Sequence, residues 1–232
     1  MRPGSRIALL SPGNREGVLL RNFREPVNGW THLVAAFAAA LGVPFLILIA
    51  RGDLVKQVSL IVYGASLVLM FSASAAYHSF NTSTKWNLIL KKLDHSAIYL
   101  LIAGSYTPIC LNFFDGFWRI GFLGIIWAIA VIGIALKFVK INSPRWLSAG
   151  VYLLMGWLSI LATQEILSGM PAGAIAWLVA GGLLFSIGAA IYILKKPDPY
   201  PGVFGFHEIW HVFVILGAFS HFAVMAGYIA PG

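Results

Sequence analysis

Seven stretches of the chain are nearly uninterrupted apolar runs of about 20 residues, the length an α-helix needs to cross a hydrocarbon core of about 30 Å. They cover residues 29–50, 57–79, 95–113, 117–136, 146–164, 172–194 and 205–229. Polar or Gly/Pro breaks separate them: RGD at 51, NTSTK at 81, NFFDG at 112, NSPR at 142, SGMP at 168 and KKPDPYPG at 195. A bilayer offers no water to an unpaired backbone N–H or C=O, so spanning segments are helices or closed barrels, and these lengths fit helices. The sequence therefore predicts an all-α polytopic membrane protein, a bundle of seven transmembrane helices. With 59% hydrophobic and 10% charged residues among 232, no separate water-soluble domain fits beside them. The expected organisation is a basic tail over 1–27 and one transmembrane domain over 28–232.

Charge orients the bundle. Thirteen of the sixteen Lys and Arg residues fall in the tail and in the second, fourth and sixth loops, where Lys85, Lys91, Lys92, Lys137, Lys140, Arg145, Lys195 and Lys196 lie. Arg51, Lys56 and Arg119 occupy the other side. The positive-inside rule then puts the N-terminus in the cytosol and the C-terminus outside, in a plasma (inner) membrane. The opening 26 residues hold arginines and only broken apolar runs, so they read as a retained cytosolic tail rather than a signal peptide. The same distribution accounts for the net charge of +8 without nucleic acid.

Ionisable residues inside spans are costly and mark functional sites. Glu25, Asn28 and His32 stand at the start of helix 1, Ser74 and His78 at the end of helix 2, Asp94 and His95 at the opening of helix 3, and His207 and His211 at the opening of helix 7. With alternating topology all of them meet at the cytosolic face. The spacing of His207 and His211 places both rings on one face of a helix, one turn apart. The single Cys110 leaves no cysteine-based metal site and no intrachain disulfide, so a metal here takes imidazole and carboxylate. His78 is the natural third ligand of Zn²⁺, with Ser74 one turn before it. His32 reads as an interfacial hydrogen-bonded residue, His95 as a headgroup neighbour, and Glu208 as a headgroup-level residue despite the HEIWH spelling. His221 lies deeper in helix 7, either in a relay or hydrogen-bonded to a neighbouring helix.

These elements, Glu25, Asn28 and His32, Ser74-x3-His78, Asp94 with HSAIYLLIAGSYTP, and His207-x3-His211 with the later His221, resemble the haemolysin III proteins of the progestin and adiponectin receptor (PAQR) family. The resemblance runs in order from about residue 24 to 228 and reaches a wider group of membrane hydrolases that includes alkaline ceramidases. It implies His78, His207 and His211 as zinc ligands, Asp94 beside a zinc-activated water, and Ser74 near that water, with Glu25, Asn28 and His32 around the ligands. It also implies a cytosolic N-terminus. The short tail departs from the adiponectin receptors, so hormone binding is not carried over. The haemolysin name implies a link to cytolysis, but no amphipathic strand or other pore-forming pattern accompanies it.

The function expected is hydrolysis of a lipid amide or ester at the cytosolic membrane face, with Zn²⁺ as cofactor and membrane lipids as partners. The alternatives are a non-enzymatic receptor or lipid-homeostasis regulator with a structural zinc, and a pore or transporter using the histidines as a proton relay. Retinal is excluded, because helix 7 lacks a lysine for a Schiff base.

Overall fold

The computed structural model describes residues 24–231. Arg2, Arg6, Arg15 and Arg21, with most of the expected tail, lie outside the described residues. Seven helices long and apolar enough to cross a membrane follow one another: α1 (Pro26–Ile49), α2 (Leu54–Ser79), α3 (Thr84–Phe113), α4 (Trp118–Val139), α5 (Arg145–Gly169), α6 (Ala172–Leu194) and α7 (Phe206–Ile229). No β-strand occurs among the described residues. The protein is a multi-pass membrane protein of seven helices.

Local chemistry sets several ends. Pro26 opens α1, where its missing N–H costs nothing. Asp53 caps α2 by accepting from the Lys56 amide at 3.0 Å. Glu208 folds back to accept from the Gly205 amide at 2.8 Å, closing the first turn of α7. Three spans are not uniform: α4 begins with a π-helical turn over Trp118–Phe122, α5 narrows to a 3-10 segment over Leu158–Ala162, and α7 ends in a π-helical turn over Met225–Ile229.

The boundaries differ from the sequence-based ones chiefly at α3, which starts at Thr84 rather than 95. The segment TKWNLILKKL is helix-compatible but too polar to score as membrane, so hydropathy alone begins the span too late. At 30 residues α3 is about 45 Å long and outruns the hydrocarbon layer. Asp94 and His95 consequently sit well inside the helix instead of opening it. Lys137, expected in the fourth loop, belongs to the last turn of α4 and is buried.

Helix α3 is the most enclosed span, with α2 next, and the others keep large faces toward lipid. Phe37, Leu41, Val131, Leu161 and Phe219 are among the exposed apolar side chains of those faces, as expected where lipid replaces water as solvent. The principal packing partners are α2 with α1 and α3, α6 with α7, and α3 with α4. Close approach of α2 and α3 depends on Gly104, where an added Cβ would collide with Ser66 Oγ. Tyr106 of α3 reaches across to α5, its hydroxyl donating to Gly156 O at 2.7 Å. The starts of α1, α3 and α7 and the end of α2 thus come together at one end of the bundle.

Candidate metal centre

His78 from the last turn of α2 and His207 and His211 from the first turns of α7 each present a ring nitrogen within 4.8 Å of the other two. Their rings stand nearly at right angles to one another, with centroids 5.1 Å apart for His78–His207, 4.8 Å for His78–His211 and 4.9 Å for His207–His211. His78 and His211 are buried, whereas His207 is partly open.

Glu25 orients two of the three. Its Oε2 accepts from His78 Nδ1 at 2.8 Å and lies 3.4 Å from His207 Nδ1. Its own backbone amide donates to the His78 carbonyl at 2.9 Å, so the carboxylate and the imidazole it supports are tied together twice. A proton held on Nδ1 leaves the Nε2 lone pair of His78 free, the arrangement in which an outer carboxylate fixes a metal-ligating histidine. Burial acts to raise the Glu25 pKa. The hydrogen bonds from His207 and His78, the charge of His78 and the bond from Asn28 outweigh it and hold the carboxyl well below the usual carboxylate range. Asn28, fully buried, donates to Glu25 Oε2 at 2.9 Å and to Glu208 Oε1 at 2.8 Å. That amide joins α1 to α7 beside the histidines. Sequence reasoning leaves Glu208 at headgroup level; the structure uses its two oxygens for Asn28 and Gly205.

The residues fit a borderline metal such as Zn²⁺. Three imidazole nitrogen donors converge, no thiol competes because the buried Cys110 lies elsewhere, and the Nδ1 atom of His211 is buried with no hydrogen-bond partner among the described residues. His32 stacks on His211 with centroids 3.9 Å apart and packs edge-on to Phe71 at 5.1 Å. Both of its ring nitrogens are buried. It lies outside the converging set of three.

Two cavities meet at this point. One, of about 400 Å³, begins at His32, His78, His207 and His211 and runs between apolar side chains as far as Phe114 and Ile166. The other, of about 470 Å³, forms a mouth that includes Glu25, Lys91, Asp94 and Arg145. Asp94 lines both, and its carboxylate makes no side-chain hydrogen bond or ion pair among the described residues. Ser74 lines the longer cavity one turn before His78. His95 lines both rather than the headgroup layer; its carbonyl accepts from Tyr152 at 3.0 Å. His221 lies farther along the longer cavity against Phe185, and its Nε2 has no partner among the described residues. Sequence reasoning missed Tyr192, whose ring is 5.7 Å from that of His207, and the buried pair Lys137 and Ser148. The signal for Lys137 is its position inside the apolar run IALKFV.

Comparison with known proteins agrees with this architecture. The chain is 36% identical over 206 residues to the Hemolysin-3 homolog of Bacillus subtilis, covering 88% of this chain and 93% of that protein. It is 34% identical over 212 residues to Hemolysin-3 of Bacillus cereus, covering 89% and 92%. It is 28% identical over 227 residues to the Adiponectin receptor protein of Drosophila melanogaster, covering 88% of this chain and 50% of that protein. The profile of the family described as Haemolysin-III related matches residues 20–222. With that match spanning the bundle from the segment before α1 into α7, the chain belongs to the Haemolysin-III related family, the haemolysin III proteins of the PAQR group.

Proposed function

We propose that the protein is a zinc-dependent hydrolase of a lipid amide or ester, working at the cytosolic face of the membrane. The observation that carries this reading is the junction of three convergent histidines with a long apolar cavity and an otherwise unpaired Asp94. Three protein ligands leave a coordination position open, as in catalytic rather than structural zinc sites. Zinc, when bound, supplies Lewis acidity toward water and an acyl oxygen at neutral pH.

The chain's own groups do the rest. The longer cavity receives an acyl chain between apolar walls and excludes bulk water. Asp94 accepts the proton of the attacking water and delivers it to the departing amine or alkoxide. The Ser74 hydroxyl donates to the oxygen on which negative charge develops. Glu25 holds His78 and His207 in the tautomer that ligates. The positive-inside distribution supports placing this end of the bundle, and the N-terminus, in the cytosol.

The second reading is a non-enzymatic regulator whose metal is structural. It is favoured by His32, which stacks on His211 with both ring nitrogens buried and would close the site as a fourth ligand.

The deciding experiment is elemental analysis of detergent-purified protein beside a His207→Ala/His211→Ala variant, followed by a screen of acyl-amide and acyl-ester lipids. About one zinc per chain, absent from the variant, together with release of fatty acid by the wild type, supports the hydrolase. Zinc retained with no cleavage across the screen supports the regulator, and no zinc after reconstitution removes both.

A further inference from the structure

Neither the histidines nor Asp94 make use of the cationic side of the mouth. Lys137 is only 5% exposed, and its ammonium donates to Ser148 Oγ at 2.7 Å. The Tyr152 ring also faces it, with the centroid 5.7 Å from Nζ. Ser148 lines both cavities, at the place where mouth and acyl slot join. Lys91 and Arg145 line the mouth. Lys91 donates to Asn142 Oδ1 at 3.3 Å, and the Arg145 guanidinium rests over the rings of Tyr192 and Phe206 at 5.2 Å from each.

Among the described residues, none of these three cations forms an ion pair with a carboxylate. Two acids, Glu25 and Asp94, line the same mouth. Glu25 is engaged by His78, Asn28 and Arg24, and Asp94 lines the cavities with the histidines. The cations gather instead around the α4–α5 connection, where Lys91 meets Asn142 and Lys137 meets Ser148. A buried ammonium whose hydrogen-bond partner is a neutral hydroxyl is expensive, and an anion beside it removes the cost. Guanidinium and ammonium groups around one space match the several acceptor oxygens of a phosphate.

We propose that the mouth is a subsite for a phosphate-bearing headgroup, held by Lys91, Arg145, Ser148 and, behind Ser148, Lys137, so that the lipid taken is an acidic acyl phospholipid rather than a neutral one. The headgroup docks at the α4–α5 side, one acyl chain enters the slot, and the acyl bond is carried toward the histidines and Asp94. This deepens the hydrolase reading by naming its substrate class, and it is tested by binding, independently of turnover.

The full-length protein is titrated in detergent with phosphatidic acid and with a diacylglycerol of identical chains, the bound lipid being counted by native mass spectrometry. Phosphatidic acid is expected to bind about tenfold tighter. Arg145→Gln and Lys91→Gln each reduce that preference about fivefold. Lys137→Met abolishes most of it while zinc content stays unchanged; should that variant fail to fold, the substitutions at Arg145 and Lys91 carry the test. Lys195→Gln/Lys196→Gln removes two charges from the same end of the bundle but not from the mouth, and leaves the preference intact.

Equal binding of the two lipids overturns the proposal, as does an equal loss in the Lys195/Lys196 control, which marks diffuse attraction to the surface. Inorganic phosphate distinguishes the source of the anion. If it stabilises the wild type but not Arg145→Gln while both lipids bind alike, the anion is a soluble one and the headgroup assignment falls. A preference that persists without any lipid cleavage leaves the subsite standing and removes the hydrolase reading instead.

Discussion

Removing the Glu25 carboxylate tests how the three histidines are held. In the wild type its Oε2 accepts from His78 Nδ1 at 2.8 Å and approaches His207 Nδ1 at 3.4 Å, so one acceptor serves two of the three ligands. In Glu25→Ala the His78 ring, 2% exposed, keeps an Nδ1 that neither water nor another side chain replaces readily. A hydrogen bond to a charged group contributes about 1.5–3 kcal/mol, and each 1.4 kcal/mol is tenfold in an equilibrium constant. Zinc affinity is therefore expected to fall about tenfold to a hundredfold, the range typical of lost outer carboxylates. Glu25→Gln retains a neutral acceptor for one ring and loses the charge, so its loss is smaller, about fivefold. The assay is competition for zinc against a chromophoric chelator in detergent, with thermal unfolding in excess EDTA run alongside. The melts isolate any effect on the apoprotein, because Asn28 also loses an acceptor. Unchanged zinc affinity in Glu25→Ala, with normal unfolding, would refute the assignment of Glu25 as the support of His78 and His207.

Three further outcomes follow from the same geometry. Protons compete with the metal for imidazole nitrogen, so zinc affinity should decline as pH is lowered from neutrality; a flat profile of chelator competition would speak against histidine ligation. Asp94→Asn should retain zinc but lose about a hundredfold or more in lipid cleavage, and cleavage at the wild-type rate would remove Asp94 from proton transfer. Gly104→Ala forces a methyl against Ser66 Oγ in the α2–α3 contact and should destabilise the bundle by about 1–3 kcal/mol, read as a lower midpoint in detergent unfolding.

Properties that depend on local composition are legible in the chain's residues alone. Seven spans follow from the length of apolar runs, because the bilayer thickness sets that length whatever the helices pack against. The pairing of His207 with His211 follows from helical pitch within one segment. Bringing His78 to them needs only an alternating chain path, and a family resemblance names the same residues. Contacts between helices are another matter, since they depend on rotation and depth, which hydropathy does not encode. Packing places the Glu25 carboxylate on His78 and His207 and links Asn28 to both Glu25 and Glu208. Hydropathy also truncates α3, because the bilayer limits the apolar part of a helix but not its continuation into the headgroup layer. Lys137 shows the limit most directly: its sequence neighbourhood marks an odd lysine near a loop, but only the fold of α4 against α5 buries it on Ser148 at the mouth of the site. Apolar run lengths and residue spacing alone make this chain a seven-helix membrane protein with histidines gathered at one end. Which groups orient those histidines, and which charges face the space beside them, emerges only on folding, because those relations are made between segments far apart in the chain.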